Sequence, residues 1–117
     1  MSNQEQYRPL PDFLTIKNSS IEGLGLFATK DIKANTELGI SHFYHEGFQH
    51  NYIRTPLGGF INHEDKANCI EIEYTEPFKH LKLVTIKDIK VGQELSVNYK
   101  DNNINDLYYE FEWRVSQ

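Results

Sequence analysis

A single cysteine, Cys69, stands in 117 residues, which excludes an internal disulfide framework and any all-cysteine zinc cluster within one chain. A reducing, intracellular compartment is the simpler setting for such a chain. No apolar run approaches the roughly 20 residues that a bilayer crossing needs. The amino terminus also lacks the basic-then-apolar order of a secretory signal, so no membrane partner is expected. Basic residues are in deficit, 12 Lys and Arg against 17 Asp and Glu, for a formal charge of −5. A nucleic-acid backbone needs clustered basic side chains, so no direct nucleic-acid partner is expected. The acidic balance favours a basic protein or peptide instead.

Repeats, low-complexity tracts and internal linkers are absent too, and the length suits one domain over residues 1–117. Hydrophobic residues make up 38%, enough to argue against global disorder. Residues 1–12, with two prolines, read as an extended lead-in. Two short strands are predicted at Phe13–Lys17 and Gly25–Thr29, with a tight turn at Glu22–Gly25. The clearest hairpin follows. Ile70, Ile72 and Tyr74 alternate with Glu71 and Glu73, which predicts a strand with one wet face, and Leu81–Ile86 returns. Leu95, Val97 and Tyr99 share one face of a later strand. Over 101–117 aromatics concentrate, and Leu107, Tyr109, Phe111, Trp113 and Val115 alternate as in a strand, although a helical stripe also fits. The domain reads as mainly β.

Five histidines and Cys69 form a pool of metal ligands. His42 and His45 on a strand would point to opposite faces, and paired cysteines are missing, so no metal site is expected. Cys69 as a nucleophile would need an activating environment, and its surroundings carry no cysteine-enzyme signature; it reads as a small core residue. The glycine pair Gly23 and Gly25 is neither a dinucleotide fingerprint nor a P-loop, because a third glycine and a following helix are missing.

Three stretches in order carry more information. They are Gly23-Leu24-Gly25-Leu26-Phe27-Ala28, then Phe60-Ile61-Asn62-His63 with Asn68-Cys69, then Gly92-Gln93-Glu94-Leu95 leading to Tyr99. Together they resemble the SET-domain family of AdoMet-dependent protein-lysine methyltransferases, over roughly residues 13–100. The length is also similar to that of the miniature viral members. The resemblance implies a SET-like β-clip fold, with short strands in small sheets and a threaded C-terminal segment, the family's pseudoknot.

It also implies S-adenosyl-L-methionine as cofactor, with S-adenosyl-L-homocysteine as product. Backbone around Glu22, Gly23, Leu24 and Gly25 and the side chain of Asn62 would hold its amino-acid end, since Asn offers both a donor and an acceptor. The backbone of His63 would read the adenine edge, and Trp113 is the candidate to cover adenine or the lysine channel. Tyr99 would be the catalytic tyrosine, orienting the amine and the methyl group. Tyr52, with Tyr44 behind it, is the candidate for a second aromatic lining the lysine channel. Core packing with a satisfied hydroxyl is the alternative for each tyrosine.

Departures from the family pattern are Glu64 for Ser, Ala67 for Pro and Lys100 for Gly. Val97, aromatic in some relatives, leaves the number of methyl groups open. The insert before Phe60 is short, which suggests a substrate groove completed by a second subunit, hence a homodimer. The expected function is methyl transfer to a lysine of a protein substrate, a histone among the candidates. The alternative is a catalytically weak SET-like module that binds a protein or peptide.

Overall fold

The computed structural model describes residues 9–47 and 51–98. Its strands are β1 (Leu14–Asn18), β2 (Leu24–Ala28), β3 (Glu37–Tyr44) and β4 (Tyr52–Arg54). After the short helix α1 (Pro56–Phe60) come β5 (Asn62–His63), β6 (Cys69–Tyr74), β7 (His80–Thr85) and β8 (Ser96–Val97). The small sheet is β1-β2; the larger runs β4-β3-β7-β6-β8-β5. This is the mainly β architecture of small sheets expected from the sequence.

β1 and β2 pair antiparallel from Leu14↔Ala28 to Asn18↔Leu24, each within one residue of its predicted span. The turn between them closes with Ser19 N donating to Gly23 O at 2.7 Å. Gly23 sits at φ +49, a conformation that glycine adopts at little cost. The predicted hairpin is β6 against β7, in register from Cys69↔Thr85 to Tyr74↔His80. α1 begins with Pro56, whose fixed φ and missing N–H suit a first helical position. It buries Leu57 and ends where Ile61 turns extended, one residue before Asn62.

The main core joins both sheets: Leu26, Leu83, Leu95 and Val97 are fully enclosed, with Leu57, Ile61, Cys69 and Ile89 around them. A second cluster of Ile70, Ile72 and Val84, flanked by Tyr74 and Ile86, covers the other face of the β6-β7 pair. One expectation fails here. β6 has no wet face along its first four residues: Cys69, Ile70, Glu71 and Ile72 are all buried, Glu71 at 6% exposure. Polar groups on β3 lie over that face, so a carboxylate can be enclosed there.

β8 runs parallel to β5 (Asn62↔Ser96, His63↔Val97) and meets β6 at Cys69↔Val97. A strand late in the chain thus lies between two that precede it in sequence, which brings the central and C-terminal motifs together. The threading expected of a pseudoknot is not shown, because Tyr99, Lys100 and the aromatic segment 101–117 lie outside the described residues, as does most of the lead-in.

Candidate active site

The turn between β1 and β2 is built around Ser19. Its hydroxyl accepts from the backbone N–H of Ile21 at 2.8 Å and of Glu22 at 3.3 Å, a local bond that serine readily forms. It donates to the Glu94 carboxylate, 2.8 Å from either oxygen. Asn62, delivered by the exit of α1, points its Nδ2 into the same turn. It lies 3.0 Å from Glu22 O, 3.2 Å from Leu24 O, 3.1 Å from Ser19 Oγ and 2.9 Å from Glu94 Oε2. Four acceptors share two amide hydrogens. Asn62 therefore locks the turn, while its Oδ1 makes no hydrogen bond among the described residues.

Gly25 completes the arrangement by what it lacks. A Cβ there would overlap Glu94 Oε2 and stand 3.1 Å from Asn62 Nδ2. Glu94 is held in turn through its backbone. Asn68 Nδ2 donates to Glu94 O at 3.0 Å, and Asn68 Oδ1 accepts from Ser96 N at 2.9 Å. Glu64, the residue that departs from the family serine, accepts from the buried Ser96 hydroxyl at 2.8 Å.

The structure therefore brings Glu22, Gly23, Leu24, Gly25 and Asn62 together. His63 follows on β5, paired with Val97, its Nε2 3.6 Å from Asp65 Oδ1. Tyr52 belongs to a different group. It lies half-buried on β4, edge-on to His42 (5.9 Å between ring centroids) and to Tyr44 (5.8 Å). Burial, with Glu73 adding to it, raises its hydroxyl pKa, so the phenol stays protonated and able to donate. Tyr99 and Trp113 lie outside the described residues.

Sequence reasoning missed Ser19 and gave Glu94 and Asn68 no role beyond their motifs. Nothing in the polar stretch 87–93 before Glu94 signals that its carboxylate turns inward. It also missed the polar cluster of Ser41, His42 and Glu71. Cys69 lies in the main core, where burial pushes its thiol up to about 12 against an opposing pull from the Ser96 backbone. Among the described residues no His, Cys, Asp or Glu cluster could hold a metal ion. No described helix is long and apolar enough to cross a membrane. A polar cavity of about 330 Å³ adjoins the turn, lined by Ser20, Ile21, Glu64, Lys66, Asn68 and Glu94 among others. None of the expected cofactor contacts lines it, so it is not identified with that site.

The residues fit the amino-acid end of S-adenosyl-L-methionine. A partly exposed turn presents Asn62 Oδ1 as an acceptor for an ammonium, and among the described residues no atom lies within 4 Å of where a Cβ on Gly23 would stand.

The SET domain family model matches residues 42–100, half of the chain. A Plasmodium falciparum putative histone methyltransferase shares the fold: TM-score 0.65 and 19% identity, covering 77% of this chain and 95% of that one. A humanized mutant of the Chaetomium thermophilum Polycomb Repressive Complex 2, bound to an inhibitor, is similar at TM-score 0.61 and 27% identity. That match covers 76% of this chain but only 15% of the other. The same complex in an autoinhibited conformation bound to S-adenosylmethionine gives TM-score 0.59 and 24% identity over 83% of this chain and 16% of that one. No curated protein matches. None of these structures is viral, so likeness to viral members rests on length alone. The family match, the shared fold and the locked turn between β1 and β2 agree: the chain belongs to the SET domain family.

Proposed function

We propose that the chain is an AdoMet-dependent protein-lysine N-methyltransferase. The observation that carries this is the grip of Asn62 on the carbonyls of Glu22 and Leu24, which leaves its Oδ1 for a ligand ammonium. A fold kept only for peptide binding has no need of that arrangement. S-adenosyl-L-methionine, when bound, supplies an electrophilic methyl group on a sulfonium. Glu22, Gly23, Leu24 and Gly25 shape its amino-acid subsite, the His63 backbone meets the adenine edge, and Trp113 covers it. Tyr99 orients the acceptor amine, and Tyr52 walls the lysine channel.

The acceptor is a lysine in a basic segment, attracted by the chain's charge of −5. A histone is one candidate, and a second subunit completes the groove. The buried, unpaired Cys69 supports an intracellular setting.

Calorimetric titration with S-adenosyl-L-homocysteine tests the reading without knowledge of the acceptor. Wild type is expected to bind with micromolar affinity and folded Asn62→Ala to lose at least tenfold. Absence of binding to folded wild type would point instead to a SET-like module that binds protein without the cofactor.

A further inference from the structure

β6 encloses a carboxylate whose pairing is incomplete. Glu71 is 6% exposed, and its Oε2 has no hydrogen-bond partner among the described residues. Desolvating a carboxylate without full compensation costs stability, and an orphaned buried polar atom calls for a reason.

The groups around it come from three other elements. His42 on β3 places Nδ1 3.5 Å from Glu71 Oε2 and 2.9 Å from Ser41 Oγ. Ser41 is fully buried, and its hydroxyl also reaches Leu81 O at 3.3 Å. Tyr52 on β4 meets the His42 ring edge-on. α1 packs beneath, where a Cβ on Gly58 would stand 2.8 Å from His42 Cε1. The charges that face this group are Arg54 on β4, which acts on both His42 and Glu71, Glu73 on β6, which raises Tyr52, and Lys79 just before β7, which lowers it and lies 3.5 Å from Glu73. His42 and Tyr52 are half-buried, so the cluster reaches the surface through their rings.

Two connections tie it to the active site. The helix that packs on His42 ends at Phe60, with only the extended Ile61 between it and Asn62. Cys69, two residues before Glu71, pairs with Val97, two residues before Tyr99 in the sequence.

We propose that Glu71 receives the ammonium of the acceptor lysine: Oε2 accepts its hydrogen bond and then its proton, while Ser41, His42 and Tyr52 hold the carboxylate and wall the site. This rests on the methyltransferase reading. An ammonium N–H bond breaks and an O–H bond forms on Glu71, leaving a neutral carboxyl and an amine whose lone pair is free to act as a nucleophile. The proton passes to water after the product leaves.

The distance alone would make His42 and Glu71 an ion pair, but the surroundings argue otherwise. Burial, helped by Arg54, holds His42 down at about 4, so at neutral pH it carries no charge. Burial pushes Glu71 up to about 7, against the pull of Arg54 and the Ser41 hydroxyl. Among the described residues the carboxylate thus has no cationic partner in contact, and a lysine ammonium would be one. A carboxyl near 7 also takes a proton from lysine, ordinarily near ~10.4, with about half the mismatch of a free glutamate at ~4.3.

Two measurements on the full chain test this. With S-adenosyl-L-homocysteine present, the 13C carboxyl resonance of Glu71, assigned by its loss in Glu71→Gln, should move on addition of n-butylammonium. An unmoved resonance overturns the proposal. Methylation of a degenerate lysine-peptide library is then followed against pH. Wild-type rate should rise through about 7. Glu71→Gln should bind S-adenosyl-L-homocysteine normally, fall by about 100-fold at pH 7, and recover towards wild type as pH nears ~10.4, where lysine loses its own proton. Equal rates at every pH overturn the proton-accepting role and leave the enzyme reading intact. A resonance that moves in a wild type that methylates nothing upholds the ammonium site and sinks the enzyme reading. If Glu71→Gln does not fold, the wild-type profile decides, and a profile without a limb near 7 overturns the proposal.

Discussion

The Glu94 carboxylate lies across Gly25 and occupies the space that a side chain on Gly25 would need. Glu94 also takes hydrogen bonds from Ser19 and Asn62, so the glycine pair, the Asn-His pair and the C-terminal motif meet at one carboxylate. Each motif is chemically incomplete without the other two.

Gly25→Ala should therefore damage the site more than the fold. The added methyl cannot be accommodated by a flexible tip alone, because both Glu94 oxygens are engaged. We expect affinity for S-adenosyl-L-homocysteine to fall at least tenfold, with a stability loss of about 1–3 kcal/mol, the usual cost of overpacking. Calorimetry beside urea unfolding separates the two effects. Unchanged affinity would show that the turn adjusts without consequence.

Asn68 braces Glu94 from behind, and its loss should appear mainly as instability. Asn68→Ala removes the acceptor for Ser96 N and the donor to Glu94 O, and Ser96 is fully buried. An orphaned buried N–H costs about 1–3 kcal/mol. A urea-unfolding loss of about 2 kcal/mol is expected, and a loss below about 0.5 kcal/mol would mean that water replaces the amide.

The outline of the fold was legible because alternation and punctuation are local. β1, β2, β6 and β7 lie in apolar stretches bounded by glycine, proline or polar turns, and each fell within a residue or two of its predicted span. The turn between β1 and β2 was legible as a candidate site only through resemblance, since nothing in the spacing of Gly23, Asn62 and Glu94 says that they come together across 71 residues of sequence. α1 escaped notice because Gly58 and Gly59 make a poor helix by propensity; close packing against His42 and Ser41 makes the small residue necessary. Glu71 was misread for a related reason. Alternation marks a charged residue as solvent-facing, and the groups that enclose it arrive from β3 and α1, distant in sequence.

That enclosure sets a pH dependence. Glu71 is raised from 4.5 to about 7 by burial, so between those values the folded chain keeps a proton that the unfolded chain releases, and stability falls as pH rises through the window. His42 is lowered from 6.5 to about 4 by burial and Arg54. The unfolded chain holds that proton between those values and the folded chain does not, so this contribution grows with pH. The two slopes oppose each other and nearly cancel in the wild type. Glu71→Gln removes the falling slope and leaves the rising one. Its stability relative to wild type should therefore increase by about 3 kcal/mol between pH 4.5 and 8, because each pH step of one across the window is worth about 1.4 kcal/mol. His42→Gln should tilt the opposite way, losing stability relative to wild type between pH 4 and about 6.5. Urea unfolding at half-unit intervals of pH measures both slopes. Curves parallel to wild type would show that Glu71 and His42 titrate at their ordinary values, and that the carboxylate is solvated in the folded chain.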